Sequence, residues 1–111
     1  KNKHLTIYGD GEQLRDYIFI DDLVEAFLLV ADNDTSGEIY NLGFGEGIKL
    51  KDMAKKIIDK VGKGKLIFEK WPDDYRKVET GSYVTNINKI KHELGFLPKI
   101  GFDLGIEKTL V

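Results

Sequence analysis

Between Leu50 and Val61 the apolar residues Leu50, Met53, Ala54, Ile57, Ile58 and Val61 fall on one stripe. That 3.6-residue recurrence predicts an amphipathic helix, and it is the cleanest periodicity in the chain. Gly62 is placed to cap its end. Its start is poorly capped, because the Lys49 side chain offers no acceptor to the orphan N–H groups. Short apolar runs stand on both sides. Leu5–Tyr8 reads as a strand broken by Gly9-Asp10-Gly11, and Lys65–Trp71 reads as a strand ended by Pro72.

Asp16–Ile20 has apolar side chains on both faces and predicts a strand buried on two sides. A second helix follows, with Asp22 as N-cap and Glu25 three residues on, the spacing of a capping box. Leu23, Val24, Ala26, Phe27, Leu28, Val30 and Ala31 cover more than half its circumference, which predicts packing on several sides. Asn33–Gly37 is a turn-rich loop, Glu38–Leu42 a third strand, and residues 43–47 a glycine-rich loop. Asp73–Tyr83 is polar without a helical stripe and reads as an extended excursion. Asn86 then caps a short helix through Ile87, Ile90 and Leu94, stopped by Gly95. Phe102–Val111 starts a last helix at Asp103.

The chain has 111 residues, no cysteine and two histidines far apart in sequence. That length suits one domain, 1–111, with enough surface removed from water to build a real core. A disulfide framework, a thiolate metal site and a cysteine nucleophile are excluded. His4 and His92 read as surface side chains. No apolar run approaches a membrane span, and Lys1–His4 lacks a signal-peptide pattern, so a soluble, cytoplasmic α/β domain without a membrane partner is expected. The chain begins with Lys and its last helical pattern stops without a cap, so a longer parent is expected.

The formal charge of −2 is unevenly placed. Residues 1–45 carry three Lys or Arg against nine Asp or Glu, and residues 46–111 carry fourteen against ten. A weakly basic second half is a poor case for a nucleic-acid partner, which needs a clustered basic face. Fifteen of the seventeen basic residues are lysine; only Arg15 and Arg76 are arginine. A guanidinium differs from an ammonium in its planar fork, which pairs with carboxylate or phosphate through two bonds. A structural ion pair and a ligand contact both fit that choice.

Other candidates reduce to structure. Gly43-Phe44-Gly45-Glu46-Gly47 lacks the G-x-G-x-x-G spacing of a dinucleotide fingerprint, and Gly62-Lys63-Gly64-Lys65 lacks the Walker spacing. Both read as turns. Asp21 and Asp22 read as helix-start acids, and Trp71 as a packed ring. No general base, nucleophile and orienting partner occur together.

Three segments in order resemble the extended short-chain dehydrogenase/reductase family, the NAD-dependent nucleotide-sugar epimerases and dehydratases. UDP-glucose 4-epimerases and dTDP-glucose 4,6-dehydratases are among them. Residues 8–22, YGDGEQLRDYIFIDD, look like the family's Y-G-D-G-x-Q-x-R-D-[FY]-[IV]-[YH]-V-x-D. Residues 37–43, GEIYNLG, are similar to G-x-x-[YF]-N-[IV]-G. Residues 86–98, NINKIKHELGFLP, resemble D-x-s-K-x-x-x-x-L-G-[WF]-x-P, with Asn86 in place of the usual Asp.

The resemblance implies a small mixed α/β substrate-binding lobe, the C-terminal part of such an enzyme. It also implies a Rossmann half elsewhere that holds NAD, and a homodimeric parent. The family's catalytic Tyr-x-x-x-Lys and its glycine-rich G-x-x-G-x-x-G do not occur in these 111 residues. No catalytic, cofactor-binding or metal-binding residue is therefore expected here, and the chain alone is expected to be inactive. Carried over by position, Tyr8 packs near a nucleotide base, and Arg15 and Arg76 grip the diphosphate. Asn41 borders the diphosphate, and Glu79, where Asp is commoner, holds the ribose hydroxyls. The implied ligand is a UDP- or dTDP-hexose. Two other readings remain: a stand-alone nucleotide-diphosphate-binding module without catalysis, and a structural domain whose arginines pair with local acids such as Asp16 and Asp74.

Overall fold

The computed structural model describes residues 3–110. Parts of three expectations, the Lys1–His4 reading, the 1–111 domain and the helix end at Val111, lie outside the described residues. Strand β1 (His4–Tyr8) pairs in parallel with β4 (Lys65–Glu69), from His4 opposite Lys65 to Tyr8 opposite Glu69. Between them run β2 (Leu14–Arg15), α1 (Ile20–Asp32), β3 (Ile48–Lys49) and α2 (Leu50–Val61). The two-residue strands β2 and β3 pair antiparallel, Leu14 opposite Lys49 and Arg15 opposite Ile48. After β4 come α3 (Asp73–Arg76), α4 (Asn88–Leu94) and α5 (Phe102–Thr109). The architecture is mixed α/β, as the alternation of elements predicts.

Helix α2 occupies the span its stripe predicts. Its N-cap Lys49 makes no side-chain cap bond, and Gly62 closes it in the left-handed region at φ 73°. Gly95 ends α4 in the same way at φ 67°. Both sites need a residue that tolerates positive φ, which glycine does without a Cβ penalty.

Several boundaries are corrected. Residues 16–19 and 38–42 belong to no ladder among the described residues, so neither segment is a strand. An apolar pattern makes a strand only where a neighbouring strand receives its N–H and C=O groups. β4 stops at Glu69, two residues short of Trp71. The 73–83 excursion opens with the single helical turn of α3. Helix α1 starts at Ile20 with Phe19 as N-cap and no side-chain cap bond, so Asp22 is not the cap. Asn86 also lies one residue outside the cap of α4, where its Oδ1 accepts the Asn88 N–H at 3.0 Å.

The molecule is thin, 49 × 35 × 18 Å, with a radius of gyration of 16.8 Å. A compact chain of this length has a radius near ~13 Å. The core is correspondingly small. Ala26, Ile90 and Phe96 form its buried centre, with Ile18, Leu29, Tyr40, Leu42, Ile87 and Leu94 packed around it. Ile7 and Ala54 are buried between β1 and α2. Helix α1 is not covered on several sides: Ile20, Phe27 and Leu28 are each 59% exposed and Val24 is 47% exposed.

Candidate functional site

Strand β2 places Arg15 beside the segment that follows α3. The Tyr83 N–H donates to Leu14 O, and the Leu14 N–H donates to Ser82 Oγ, both at 3.0 Å. This seam carries Glu79 and Gly81, 64 and 66 residues from Arg15 in sequence, to the guanidinium. Arg15 Nη1 donates to Leu14 O at 3.0 Å and to Gly81 O at 2.5 Å. Its Nη2 pairs with Glu79 Oε1 at 2.5 Å, and both side chains are about three-quarters covered. The same Oε1 accepts the Gly81 N–H at 3.1 Å. Three of the five guanidinium donors are engaged; Nε–H and one Nη2 proton have no partner among the described residues.

Asp16, next in sequence, does not pair with Arg15. Its carboxylate accepts the N–H groups of Phe44 at 2.8 Å, Gly45 at 3.0 Å and Thr85 at 3.0 Å. This settles the character of the glycine-rich loop at 43–47. A phosphate cradle needs backbone N–H groups free to face the ligand. Here two of them are held by a carboxylate of the chain itself. The loop does not fit the diphosphate of NAD.

Tyr8, at the end of β1, is half-buried and stacks on Tyr75 of α3, with ring centroids 6.1 Å apart and planes 20° apart. Trp71 tilts against Tyr8, with ring centroids 5.6 Å apart and planes 47° apart, and lies over Gly9. Arg76 is exposed at the end of α3, and its side chain has no ion pair or hydrogen bond among the described residues. No Arg76–Asp74 pair forms there. Asn41 is exposed in the irregular segment after α1, without a side-chain hydrogen bond among the described residues. It stands two residues before Gly43, which packs directly on Asp16.

The structure thus joins Arg15 to Glu79, and joins Tyr8 to the chain neighbour of Arg76. It makes no direct contact between Asn41 and these groups. Three participants were missed in the sequence: Gly81 and Ser82, which fix Arg15 and Leu14, and Tyr75, which covers Tyr8. The E-T-G-S run holds a turn signal at Gly81, whose φ is 77°, but nothing local reveals its partner across the fold.

Two cavities lie elsewhere. One of about 360 Å³ is lined by Tyr17, Phe19, Met53, Ile57, Ile106 and Leu110 among others. The second, about 350 Å³, lies between Tyr17, Phe44, Glu46 and Phe102. None of Tyr8, Arg15, Asn41, Arg76 and Glu79 lines either one. The larger is walled by apolar side chains without a charge, so it has no group to neutralise a phosphate. Burial pushes the Tyr17 phenol up at its edge, against the pull of the Arg15 charge. Among the described residues no three His, Cys, Asp or Glu side chains are grouped to hold a metal. No helix there is long and apolar enough to cross a membrane.

Comparison with known proteins places this arrangement in a lineage. A bovine (Bos taurus) dTDP-D-glucose 4,6-dehydratase is 35% identical over 113 residues, which cover 98% of this chain and 32% of the relative. An epimerase from Methanothermobacter thermautotrophicus superposes with a TM-score of 0.87 at 26% identity, over 96% of this chain and 32% of that one. The UDP-glucose 4-epimerase of Thermotoga maritima, solved with UDP-glucose, gives 0.77 at 27% identity over 97% and 36%. The dTDP-glucose 4,6-dehydratase of Bacillus anthracis, solved with NAD, gives 0.78 at 27% identity over 97% and 33%. The chain spans about a third of the length of the relatives it matches. The family model described as GDP-mannose 4,6 dehydratase matches residues 1–109. With nearly its whole length matched and its mixed α/β fold shared, the chain belongs to the GDP-mannose 4,6-dehydratase family, among the extended short-chain dehydrogenase/reductase epimerases and dehydratases of nucleotide-sugars.

Proposed function

We propose that these residues form the nucleotide-sugar-binding portion of an NAD-dependent nucleotide-sugar epimerase or dehydratase. Residues 1–111 act as one C-terminal substrate-binding domain. It grips the nucleoside diphosphate of a UDP- or dTDP-hexose, while the remainder of a longer, homodimeric cytoplasmic protein carries NAD and the catalytic Tyr and Lys. The observation that carries this reading is the held guanidinium of Arg15. Three protein acceptors fix it and two donors remain for an anion. A fork fixed before the ligand arrives loses less freedom on binding a phosphate.

Tyr8 lies beside the base in this reading, with Trp71 and Tyr75 around it. Arg76 supplies the second diphosphate contact, Asn41 borders it, and Glu79 stands near the ribose. NAD supplies hydride transfer where it binds. The amides at 43–47 do not fit it, and in this reading it binds outside these residues. What this domain adds is position. Holding the diphosphate fixes where the hexose lies, and such positioning can lower a barrier by several kcal/mol.

The test is titration with UDP and dTDP, followed by calorimetry and by the fluorescence of Trp71, the single tryptophan. Saturable binding is expected, with Arg15→Lys weakening it by roughly 1–3 kcal/mol because an ammonium cannot reproduce the fork. Unchanged affinity in Arg15→Lys would remove the diphosphate role of Arg15.

A further inference from the structure

Glu79 stands where a ribose-holding acid is expected, yet its observed bonds serve a different purpose. Oε1 accepts from Arg15 Nη2 at 2.5 Å and from the Gly81 N–H at 3.1 Å. Gly81 in turn offers its carbonyl to Arg15 Nη1 at 2.5 Å. Glu79, Gly81 and Arg15 therefore close a ring of hydrogen bonds. The carboxylate fixes the turn, and the turn and the carboxylate each hold one terminal nitrogen of the guanidinium. Glu79 Oε2 has no hydrogen bond among the described residues.

We propose that Glu79 is a positioning residue: it orients the Arg15 fork for a diphosphate, and its effect on affinity passes through Arg15. This rests on the nucleotide-diphosphate reading above. The charge of a carboxylate near a bound diphosphate is unfavourable in itself. Its benefit is geometric, since one oxygen, Oε1, holds both the guanidinium and the Gly81 turn that carries the second acceptor. A glutamine at 79 retains an acceptor of the same reach and lacks the repelling charge. An alanine retains neither. A residue that served only the ribose would show no effect on a ligand without a ribose.

The experiment measures inorganic pyrophosphate and UDP binding by calorimetry, with the full chain and its Glu79→Ala and Glu79→Gln variants. The Arg15 side-chain ¹⁵N signals are recorded in each free protein. Backbone amide spectra establish that each variant keeps the fold. The expected result is a loss of about 5- to 30-fold for both ligands in Glu79→Ala, with Glu79→Gln within about threefold of the parent or tighter. The Arg15 terminal nitrogens should rotate slowly in the parent and in Glu79→Gln, and freely in Glu79→Ala. Pyrophosphate binding that is unchanged or tighter in Glu79→Ala, beside weakened UDP, would assign Glu79 to the ribose and overturn the proposal. Freely rotating Arg15 nitrogens in the parent would overturn it without any ligand. A parent with slowly rotating nitrogens that binds neither ligand would instead remove the diphosphate reading on which the proposal stands.

Discussion

The Asp22 carboxylate accepts the backbone N–H of Ile100 at 2.9 Å across 78 residues of chain. Its other oxygen accepts the N–H of Lys99 at 3.0 Å. Asp22 is 2% exposed, in the first turn of α1, so one buried side chain ties that helix to the segment leading into α5. At the surface, Glu25 pairs with Lys99 Nζ at 3.0 Å along the same seam.

Asp22→Ala leaves two part-buried amide donors without their acceptor; a fully buried one costs roughly 1–3 kcal/mol, so for this part-buried pair a loss of about 2–4 kcal/mol is expected. Asp22→Asn keeps the shape but turns an NH₂ group toward one of the two amides, and should cost nearly as much as alanine. Urea unfolding followed by the far-UV signal checks both. An Asn variant as stable as the parent would mean that neither amide depends on the second carboxylate oxygen.

This clasp shows where the sequence is readable and where it is not. The stripe from Leu50 to Val61 identifies α2 because helical spacing is local, and Gly62 and Gly95 identify two helix ends for the same reason. Asp22 reads as a cap because an acid at a helix start commonly is one; its real partners, Lys99 and Ile100, are fixed only by the fold. Asp16 is the same case. Its three amide partners come from residues 44, 45 and 85. A Cβ on Gly43 would stand 2.5 Å from Thr85 Oγ1 and 2.7 Å from Asp16 Oδ2. The glycine that resembles a ligand loop is therefore needed for close packing.

The site divides along the same line. Arg15 and Arg76 stand out by composition, because lysine fills every other basic position. The partner of Arg15 cannot be read locally, and the nearby acid Asp16 is the wrong choice. Residues 16–19 and 38–42 carry strand-like patterns but have no neighbouring strand among the described residues. A pattern records which faces avoid water, and not what covers them.

The exposed side of α1 has a measurable consequence. Ile20, Val24, Phe27 and Leu28 follow helical spacing and are each about half exposed. A contiguous apolar stripe on a soluble surface favours association. Sedimentation velocity of the chain should show species that grow with concentration, and Phe27→Lys should reduce them. Because Phe27 is largely outside the core, the substitution should change the unfolding midpoint little, within ~0.5 kcal/mol in stability. A concentration-independent monomer for the parent chain would show that this stripe does not drive association.

Acid should loosen the junction between the 9–13 loop and the start of α2. Glu12 pairs with Lys49 Nζ at 2.7 Å and also with Lys51 Nζ. Hydrogen bonds from these two ammonium groups, Lys49 first, hold its carboxyl down at about 2, against an ordinary value of 4.5. A carboxyl whose folded value is depressed stabilises the fold above its unfolded value, and that contribution fades as the pH falls through the folded one. The window therefore runs from about pH 4.5 down to about pH 2. Glu12→Gln should remove the part of the acid dependence that lies in this window while leaving the rest of the profile in place. Glu12 and Lys49 are exposed and Lys51 is half-buried, so 0.5 M salt should weaken the effect in the parent and hardly alter the variant. Urea midpoints measured from pH 7 to pH 2 at low and high salt check this. Parallel profiles for parent and variant across the window would mean that the Glu12–Lys49–Lys51 cluster does not couple to folding.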